Sequence, residues 1–178
     1  MDLERLQRQL AASDAKLPPV HLWHPPYCGQ LDLCIKHDGS WHYQGTPIGR
    51  LALVKLFASV LWKEDEDYFL VTPAEKVGIQ VEDVPFVITQ WQEEQSNLLF
   101  TTSLGDSFLV GNEHPVVLMR DKISGAELPY AKVRRNLYGR LHQNIYYQLV
   151  EKGRAKTYQG APHLIVSSGP YQFSLGRL

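Results

Sequence analysis

Arg50 is the first residue of chemical interest, because its guanidinium keeps its charge at every physiological pH. A helix predicted from about Pro47 to Trp62 places apolar side chains on one side and Arg50 in the middle of that side. A charge there needs a carboxylate, an aromatic ring or an anionic ligand beside it. Two interpretations stay open: a structural salt bridge to Asp38, Glu82 or Asp83, and an anion site in the first helical turn.

Thr72, Glu75 and Lys76 form a second candidate group at the end of the strand-like run Tyr68 to Thr72. Residues at such strand-to-turn junctions often point toward a cleft, which predicts a role in binding. The alternative is a structured turn with an exposed ion pair.

A basic cluster is the third candidate. It consists of Tyr130, Lys132, Arg134, Arg135 and Arg140. Arginine forks bind phosphate, and a tyrosine ring can stack on a base. The alternative is a solvated face, or a docking surface for the acidic first half. Nucleic acid is not favoured as a partner, because the net charge is -1 and no recognised motif is present.

Motifs for catalysis are missing from the sequence. We find no nucleophile elbow, phosphate loop, metal-binding His-Glu helix or dinucleotide fingerprint, so the sequence leans away from an enzyme and implies no cofactor. His24, Cys28, Cys34 and His37 do not match the spacing of a zinc site, and no metal site is expected.

Length and composition favour a globular protein of one or two domains. The 178 residues are 44% hydrophobic and 21% charged, without low-complexity segments. No apolar run is long enough to cross a membrane, and Met1 to Leu10 lacks the pattern of a signal peptide. With only two cysteines, we expect a cytoplasmic protein with reduced thiols.

Charge is unevenly distributed along the chain. Residues 1–127 contain 10 basic and 18 acidic residues, whereas residues 128–178 contain 8 basic residues and one acidic residue, Glu151. This asymmetry indicates either complementary docking of the two halves or an anionic ligand on the basic part.

Hydrophobic periodicity predicts an α+β fold. A short amphipathic helix covers Met1 to Leu10, and alternating runs around Asp38-Gly39 predict a hairpin from Leu31 to Gln44. Thr46-Pro47 is interpreted as the start of the helix to Trp62, and a second hairpin joins Tyr68–Thr72 to Val77–Val81.

The second half repeats the order hairpin, helix, hairpin. The predicted strands are Val84–Trp91, Leu98–Thr102, Ser107–Val110, Val116–Arg120, Glu127–Val133, His163–Val166 and Tyr171–Leu175. Leu137, Leu141, Ile145 and Leu149 predict a helix from about Asn136 to Lys152, with Gly153 at its C-terminus. A boundary near residues 83–85 gives an N-terminal α+β domain, 1–83, and a β-rich C-terminal domain, 84–178.

Several motifs are similar to those of a known family. They are Asp38-Gly39-Ser40-Trp41, Gly45-Thr46-Pro47-Ile48-Gly49-Arg50, Leu56-Phe57, Leu70 to Lys76, Val81 to Phe86, Pro129-Tyr130, Val133-Arg134, Tyr147 and Leu149-Val150. The ordered set resembles a bacterial family labelled domain of unknown function 1285.

The resemblance implies two α+β parts, of which the C-terminal half is a pleckstrin-homology-like antiparallel β-barrel or sandwich with a helix. It also implies a site between the halves for a small, nucleotide-like ligand, and a link to signal transduction. No catalytic activity is established for the family.

Together these features predict a regulatory module that binds a small anionic ligand between its halves. The predicted ligand-binding residues are Arg50, Thr72, Glu75, Lys76, Tyr130, Lys132, Arg134 and Arg140. The alternative is a protein-interaction module that presents a strand edge or groove to a protein partner, without a small-molecule ligand.

Overall fold

The computed structural model describes residues 2–10 and 17–178. The chain divides into two compact units, Met1–Glu82 and Asp83–Leu178. Within the described residues, strands dominate and three α-helices accompany them. The predicted α+β class, with two parts, is confirmed.

The first unit is built on a six-stranded sheet with two helices. The helices are α1 (Leu3–Leu10) and α2 (Leu51–Ala58). The strands are β1 (Tyr27–Ile35), β2 (Trp41–Tyr43), β3 (Thr46–Pro47), β4 (Leu61–Glu64), β5 (Asp67–Val71) and β6 (Lys76–Val81). The strand order is β3-β2-β1-β6-β5-β4, and the central pair β1 and β6 is parallel.

The predicted hairpin around Asp38-Gly39 is confirmed. Strands β1 and β2 are antiparallel, with Ile35 opposite Trp41. Gly39 has a φ of 89°, which glycine adopts without steric cost. The Asp38 carboxylate accepts hydrogen bonds from the main-chain N–H and the hydroxyl of Ser40, at 2.9 and 2.6 Å. These bonds lower the pKa of Asp38 and fix the turn.

The prediction of a helix from Pro47 to Trp62 is wrong at both ends. Gln44 and Gly45 have φ values of 51° and 80°, the pattern of a tight two-residue turn, and they join β2 to β3 as a further hairpin. Pro47 therefore lies in an edge strand, where its missing N–H costs no ladder bond. The helix begins only at Leu51 and ends at Ala58.

The predicted N-terminal helix is confirmed as α1. Its apolar side chains Leu6 and Leu10 are fully buried, and the helix packs against α2. The second predicted hairpin is also confirmed, since β5 and β6 pair antiparallel with Val71 opposite Lys76.

The second unit contains a second six-stranded sheet, one helix and a small three-stranded sheet. The larger sheet consists of β7 (Phe86–Glu94), β8 (Asn97–Thr102), β9 (Ser107–Leu109), β10 (Val116–Arg120), β11 (Glu127–Arg134) and β12 (Leu137–Leu141). Helix α3 (Gln143–Lys152) follows, and then β13 (Arg154–Tyr158), β14 (Ala161–Ser168) and β15 (Tyr171–Arg177).

Both six-stranded sheets have the same topology. The order in the second unit is β10-β11-β12-β7-β8-β9, and β7 and β12 are its parallel pair. In each sheet, two antiparallel three-stranded meanders are joined by parallel pairing of the first and sixth strands. The predicted duplication is therefore visible in the strand order.

The predicted helix from Asn136 to Lys152 is wrong in its first third. Arg135 has a φ of 51° and forms the turn between β11 and β12, so Leu137 to Leu141 is a strand. The helix begins after His142, whose ring accepts a hydrogen bond from the N–H of Asn144 at 3.2 Å. The last predicted hairpin is confirmed as β14 and β15.

Ser168 links the small sheet to the larger sheet of the same unit. Its buried hydroxyl donates to the carbonyl of Val110 at 2.7 Å and accepts from the N–H of Leu98 at 2.9 Å. One side chain thus satisfies two buried main-chain groups.

No helix among residues 2–10 and 17–178 is long and apolar enough to cross a membrane. Cys28 and Cys34 are both free and both lie in β1. They are six positions apart along the strand, or about 20 Å, which is beyond the reach of a disulfide bond.

Candidate functional site

Arg50 does not lie on a buried helix face. It immediately precedes α2 with φ and ψ of −84° and 105°, an extended conformation, and it is exposed to solvent. The prediction of its position is wrong because the helix begins at Leu51, four residues after its predicted start at Pro47. Two of the salt-bridge partners predicted for Arg50 lie in the first unit, and both contact other residues. The Asp38 carboxylate accepts a hydrogen bond from the Ser40 hydroxyl, and the Glu82 carboxylate lies 3.4 Å from the Lys36 ammonium.

Thr72 is a buried turn residue. Its hydroxyl oxygen accepts from the N–H groups of Ala74 and Glu75, at 3.3 and 3.0 Å. The N–H of Thr72 in turn donates to the carbonyl of Glu75 at 2.8 Å. This closed turn fixes the point at which β6 begins, and thereby positions the side chain of Lys76.

Glu75 is 5% exposed and is bound by the N-terminal helix. Arg5 of α1 lies 3.1 Å from one carboxylate oxygen, and the Gln9 amide donates to the other at 3.1 Å. A nearly buried carboxylate requires such partners. Glu75 therefore attaches α1 to the turn that precedes Lys76.

Lys76 combines an ion pair with an aromatic contact. Its ammonium lies 2.7 Å from Glu64 Oε1 and 4.4 Å from the centroid of the Phe69 ring. The Glu64 carboxylate also accepts from the indole N–H of Trp62 at 3.0 Å. The bond from Lys76 and then that from Trp62 lower the pKa of Glu64. Because Glu64 is 49% exposed, this pair contributes at most about 1 kcal/mol to stability.

Lys76 also lines a cavity of about 270 Å³, which we call the tryptophan cavity. Its lining residues are Val20, His21, Trp23, His24, Pro25, Trp62, Glu64, Val71 and Lys76. One wall comes from the chain segment before β1, and the other from β4, β5 and β6. Lys76 is the one lysine or arginine among these lining residues.

Lys76 also lines a second depression, formed by residues of β1, β5 and β6. This groove, of about 370 Å³, is lined by Tyr27, Gln30, Phe69 and Gly78, together with Asp67, Tyr68, Lys76 and Ile79. Gly78 lies opposite Phe69 across the strands, and its missing side chain leaves room for the side chain of Gln30, with which a Cβ at this position would collide. Lys76 thus separates two adjacent hollows on one sheet.

In the second unit, Tyr130 and Arg140 surround a buried carboxylate. The fully buried Tyr130 donates its hydroxyl hydrogen to Asp83 Oδ2 at 2.7 Å, and Arg140 Nε lies 3.9 Å from the same oxygen. The main-chain N–H of Lys122 donates to Asp83 Oδ1 at 3.1 Å. Burial strongly raises the pKa of Tyr130, and the adjacent Asp83 raises it further, so the phenol stays protonated.

Arg134 also has an acidic partner within the second unit. Its guanidinium lies 2.7 Å from Asp106 Oδ1 and 4.8 Å above the centroid of the Phe86 ring. Burial lowers the pKa of Arg134, although Asp106 opposes that effect. Lys132 is half-buried in β11, opposite Tyr138 of β12. The Tyr130 ring is buried and so offers no exposed face for stacking, and the ligand contacts predicted for the basic cluster stay predictions.

Sequence reasoning missed Trp23 and Trp62 as site residues. Trp62 was placed at the end of a helix, whereas it lies in β4 opposite Phe69. Trp23 carries no local motif, and it lines the same cavity as Lys76 only because the fold brings residues 20–25 next to the start of β6, where the N–H of Lys76 donates to the carbonyl of Pro26. The nearest sequence signal was the assignment of Lys76 to a strand-to-turn junction.

Both units of the chain match domains of one known family. Residues 18–84 match the N-terminal domain, and residues 85–175 the C-terminal domain, of a domain of unknown function, DUF1285. A search of curated proteins finds no match.

Two solved structures are similar to the chain. A DUF1285 family protein from Silicibacter pomeroyi DSS-3 is 37% identical, with a TM-score of 0.86, over 99% of this chain and 96% of that one. Another, from Shewanella baltica OS155, is 34% identical, with a TM-score of 0.55, over 68% of this chain and 91% of that one. The chain therefore belongs to the DUF1285 family.

Proposed function

We propose that the first unit binds a small anionic ligand with a flat ring, such as a nucleotide-like molecule, in the tryptophan cavity. The observation that carries the proposal is that Lys76, Trp23 and Trp62 line one cavity. A lysine ammonium supplies the charge that an anion needs, and indole rings supply faces on which a flat ring can stack.

The contacts of Lys76 support a proposal in which the ligand replaces Glu64 as its partner. An ammonium group has three donors, and Lys76 donates one of them to Glu64. The Glu64 side chain is half-exposed, so its ion pair is weak and a doubly charged phosphate competes with it effectively. Glu64 therefore competes with the ligand for the Lys76 ammonium.

The cavity limits the size and affinity of the ligand. Its volume of about 270 Å³ is slightly below the usual range for small-molecule sites, about 300–1,000 Å³. A single ring system with one anionic group fits this volume better than a dinucleotide. With one cationic side chain in the lining, we expect modest affinity that weakens as salt is added.

Thr72 and Glu75 have a positioning role in this proposal. Thr72 closes the turn before β6, and Glu75 is held by Arg5 and Gln9, so both determine where Lys76 projects. We assign no contact with the ligand to either residue. Ligand contacts for Arg50 and for Tyr130, Lys132, Arg134 and Arg140 remain predictions.

The wider context is also part of the proposal. We propose that binding serves signal transduction in the cytoplasm, and that the second unit is pleckstrin-homology-like. The latter is supported by a sheet of antiparallel meanders followed by α3, which contacts β7.

Adenosine monophosphate, adenosine and inorganic phosphate are suitable probes, added at low salt while thermal unfolding is followed. We expect the monophosphate to stabilise the protein most, since it offers both the ring and the charge. Lys76→Gln should abolish the effect, and Glu64→Gln should enlarge it because the competing carboxylate is gone.

Lys55→Gln is the matched control, because Lys55 is an exposed lysine of α2 outside the cavity. An equal response in Lys76→Gln and Lys55→Gln would contradict the proposal, as would the lack of stabilisation by the monophosphate.

A further inference from the structure

Strand β13 is an open edge of the small sheet in the second unit. The sheet order is β13-β14-β15, so among residues 2–10 and 17–178 β13 pairs with β14 alone. Arg154, Ala155, Lys156 and Thr157 are all exposed, and Tyr158 is half-buried. Alternate residues of such an edge direct their main-chain N–H and C=O groups away from the sheet, where they can pair with another strand.

Positive charge surrounds this edge. Arg154 and Lys156 are two residues apart and therefore project from the same face of the strand. Lys156 lies opposite His163, which in turn lies opposite the exposed Arg177 of β15. The charged side chains of the three strands of this sheet are Arg154, Lys156 and Arg177, and all three are basic. An approaching strand therefore meets a basic surface.

The charges of β13 determine which kind of strand can pair with it. A second copy of the chain, paired antiparallel through β13, would bring the basic residues Arg154 and Lys156 against those of its partner. Like charges facing each other across strands are destabilising, and lysine on an edge strand opposes self-pairing. An extended segment with acidic side chains gains main-chain hydrogen bonds and opposite-charge pairs together.

We propose that β13 docks an extended acidic segment of another protein, which adds to the small sheet as a fourth strand. This interaction surface is independent of the tryptophan cavity, because it lies in the second unit and uses none of the cavity residues. Carboxylates at alternate positions of the partner would pair with Arg154 and Lys156, while its main chain would pair with β13.

The test uses the full chain and a synthetic peptide of alternating glutamate and valine, compared with a peptide of alternating lysine and valine. Amide NMR spectra should show that the acidic peptide shifts the β13 resonances and slows the exchange of its outward N–H groups. Lys156→Glu should weaken this binding by about fivefold or more, because an attraction becomes a repulsion.

Lys55→Glu is the control, since it makes the same charge change at an exposed site in the first unit. It should leave the affinity unchanged, and circular dichroism should show that both variants are folded. Arg154→Glu provides a second, independent variant with the same expected loss.

Three results would overturn the proposal. They are equal binding of both peptides, the same affinity in Lys156→Glu and Lys55→Glu, and shifts that spare β13. Protection of the β13 amides without peptide, together with a dimer in light scattering, would assign the edge to a second copy instead.

Discussion

Replacement of Tyr130 by phenylalanine tests whether the centre of the predicted basic cluster is structural. Tyr130 is fully buried, and its hydroxyl donates to the buried Asp83 carboxylate at 2.7 Å. Phenylalanine keeps the ring and creates no cavity, so the change removes one hydrogen bond to a charged acceptor. Such bonds contribute about 1.5–3 kcal/mol.

The neighbours of Asp83 set the expected magnitude. The carboxylate keeps the N–H of Lys122 at 3.1 Å and Arg140 Nε at 3.9 Å, so it is not stranded when the phenol is lost. We therefore expect a loss of about 2 kcal/mol in the free energy of unfolding. For a chain of this length, that loss lowers Tm by about 4–8 °C.

The loss should not depend on pH between 6 and 9. Burial, reinforced by the bond to Asp83, raises the pKa of Tyr130 far above this window, so the donor stays protonated. The assay is urea unfolding of wild type, Tyr130→Phe and the control Tyr147→Phe, in which an exposed phenol is removed. If Tyr130→Phe costs less than about 0.5 kcal/mol, as surface changes do, the structural role of the pair is refuted.

Two further changes test other parts of the fold. Ser168→Ala leaves the buried N–H of Leu98 and the buried carbonyl of Val110 without their hydrogen-bond partner. It should lower the free energy of unfolding in urea by about 2–4 kcal/mol. Ser167→Ala, which changes an exposed neighbouring residue, should lower it little. Ser40→Ala should raise the pKa of Asp38 toward its ordinary value, as measured by NMR titration of the carboxyl group. Because the pKa of Asp38 is lower in the folded state than in the unfolded state, the ionised carboxylate stabilises the folded protein at pH values above the unfolded-state pKa. This stabilisation is lost as the pH falls through the folded-state pKa of Asp38. Ser40→Ala, which has less of this stabilisation, should therefore lose less stability on acidification than the wild type. An unchanged Asp38 pKa in Ser40→Ala, or a negligible loss in Ser168→Ala, would contradict these accounts.

Strands bounded by clear turn residues could be predicted from the sequence. The hairpin of β1 and β2 followed from Asp38-Gly39, and β10 was predicted with its observed ends, Val116–Arg120. Alternation and positive-φ glycine are local properties, so they do not depend on the rest of the fold.

Both helix errors arose where local patterns are ambiguous. Leu137 and Leu141 are four residues apart, a spacing that places both on one side of a helix and also on one face of a strand. Thr46-Pro47 has the composition of a helix start, but the preceding Gln44-Gly45 turn makes it an edge strand instead. In both places the turn geometry decided the structure.

The candidate site was predictable only in part. Lys76 was identified from its position at a strand-to-turn junction, and it lines the tryptophan cavity. Trp23 and Trp62 could not be assigned with it, because they are 39 residues apart in the sequence and line one cavity only in the folded chain. Arg50 was misplaced because its interpretation depended on the helix start.

The central claim is that an anionic ligand with a flat ring binds beside Lys76, and the indole N–H signals of the tryptophans test it most directly. Trp23 and Trp62 line the cavity, Trp41 is buried in the core of the same unit, and Trp91 lies in the second unit, bonded to Gln148. In an NMR titration with adenosine monophosphate, we expect the signals of Trp23 and Trp62 to shift, those of Trp41 and Trp91 to stay, and Lys76→Gln to abolish the shifts. A shift confined to Trp91, or shifts at Trp23 and Trp62 that persist in Lys76→Gln, would contradict the account.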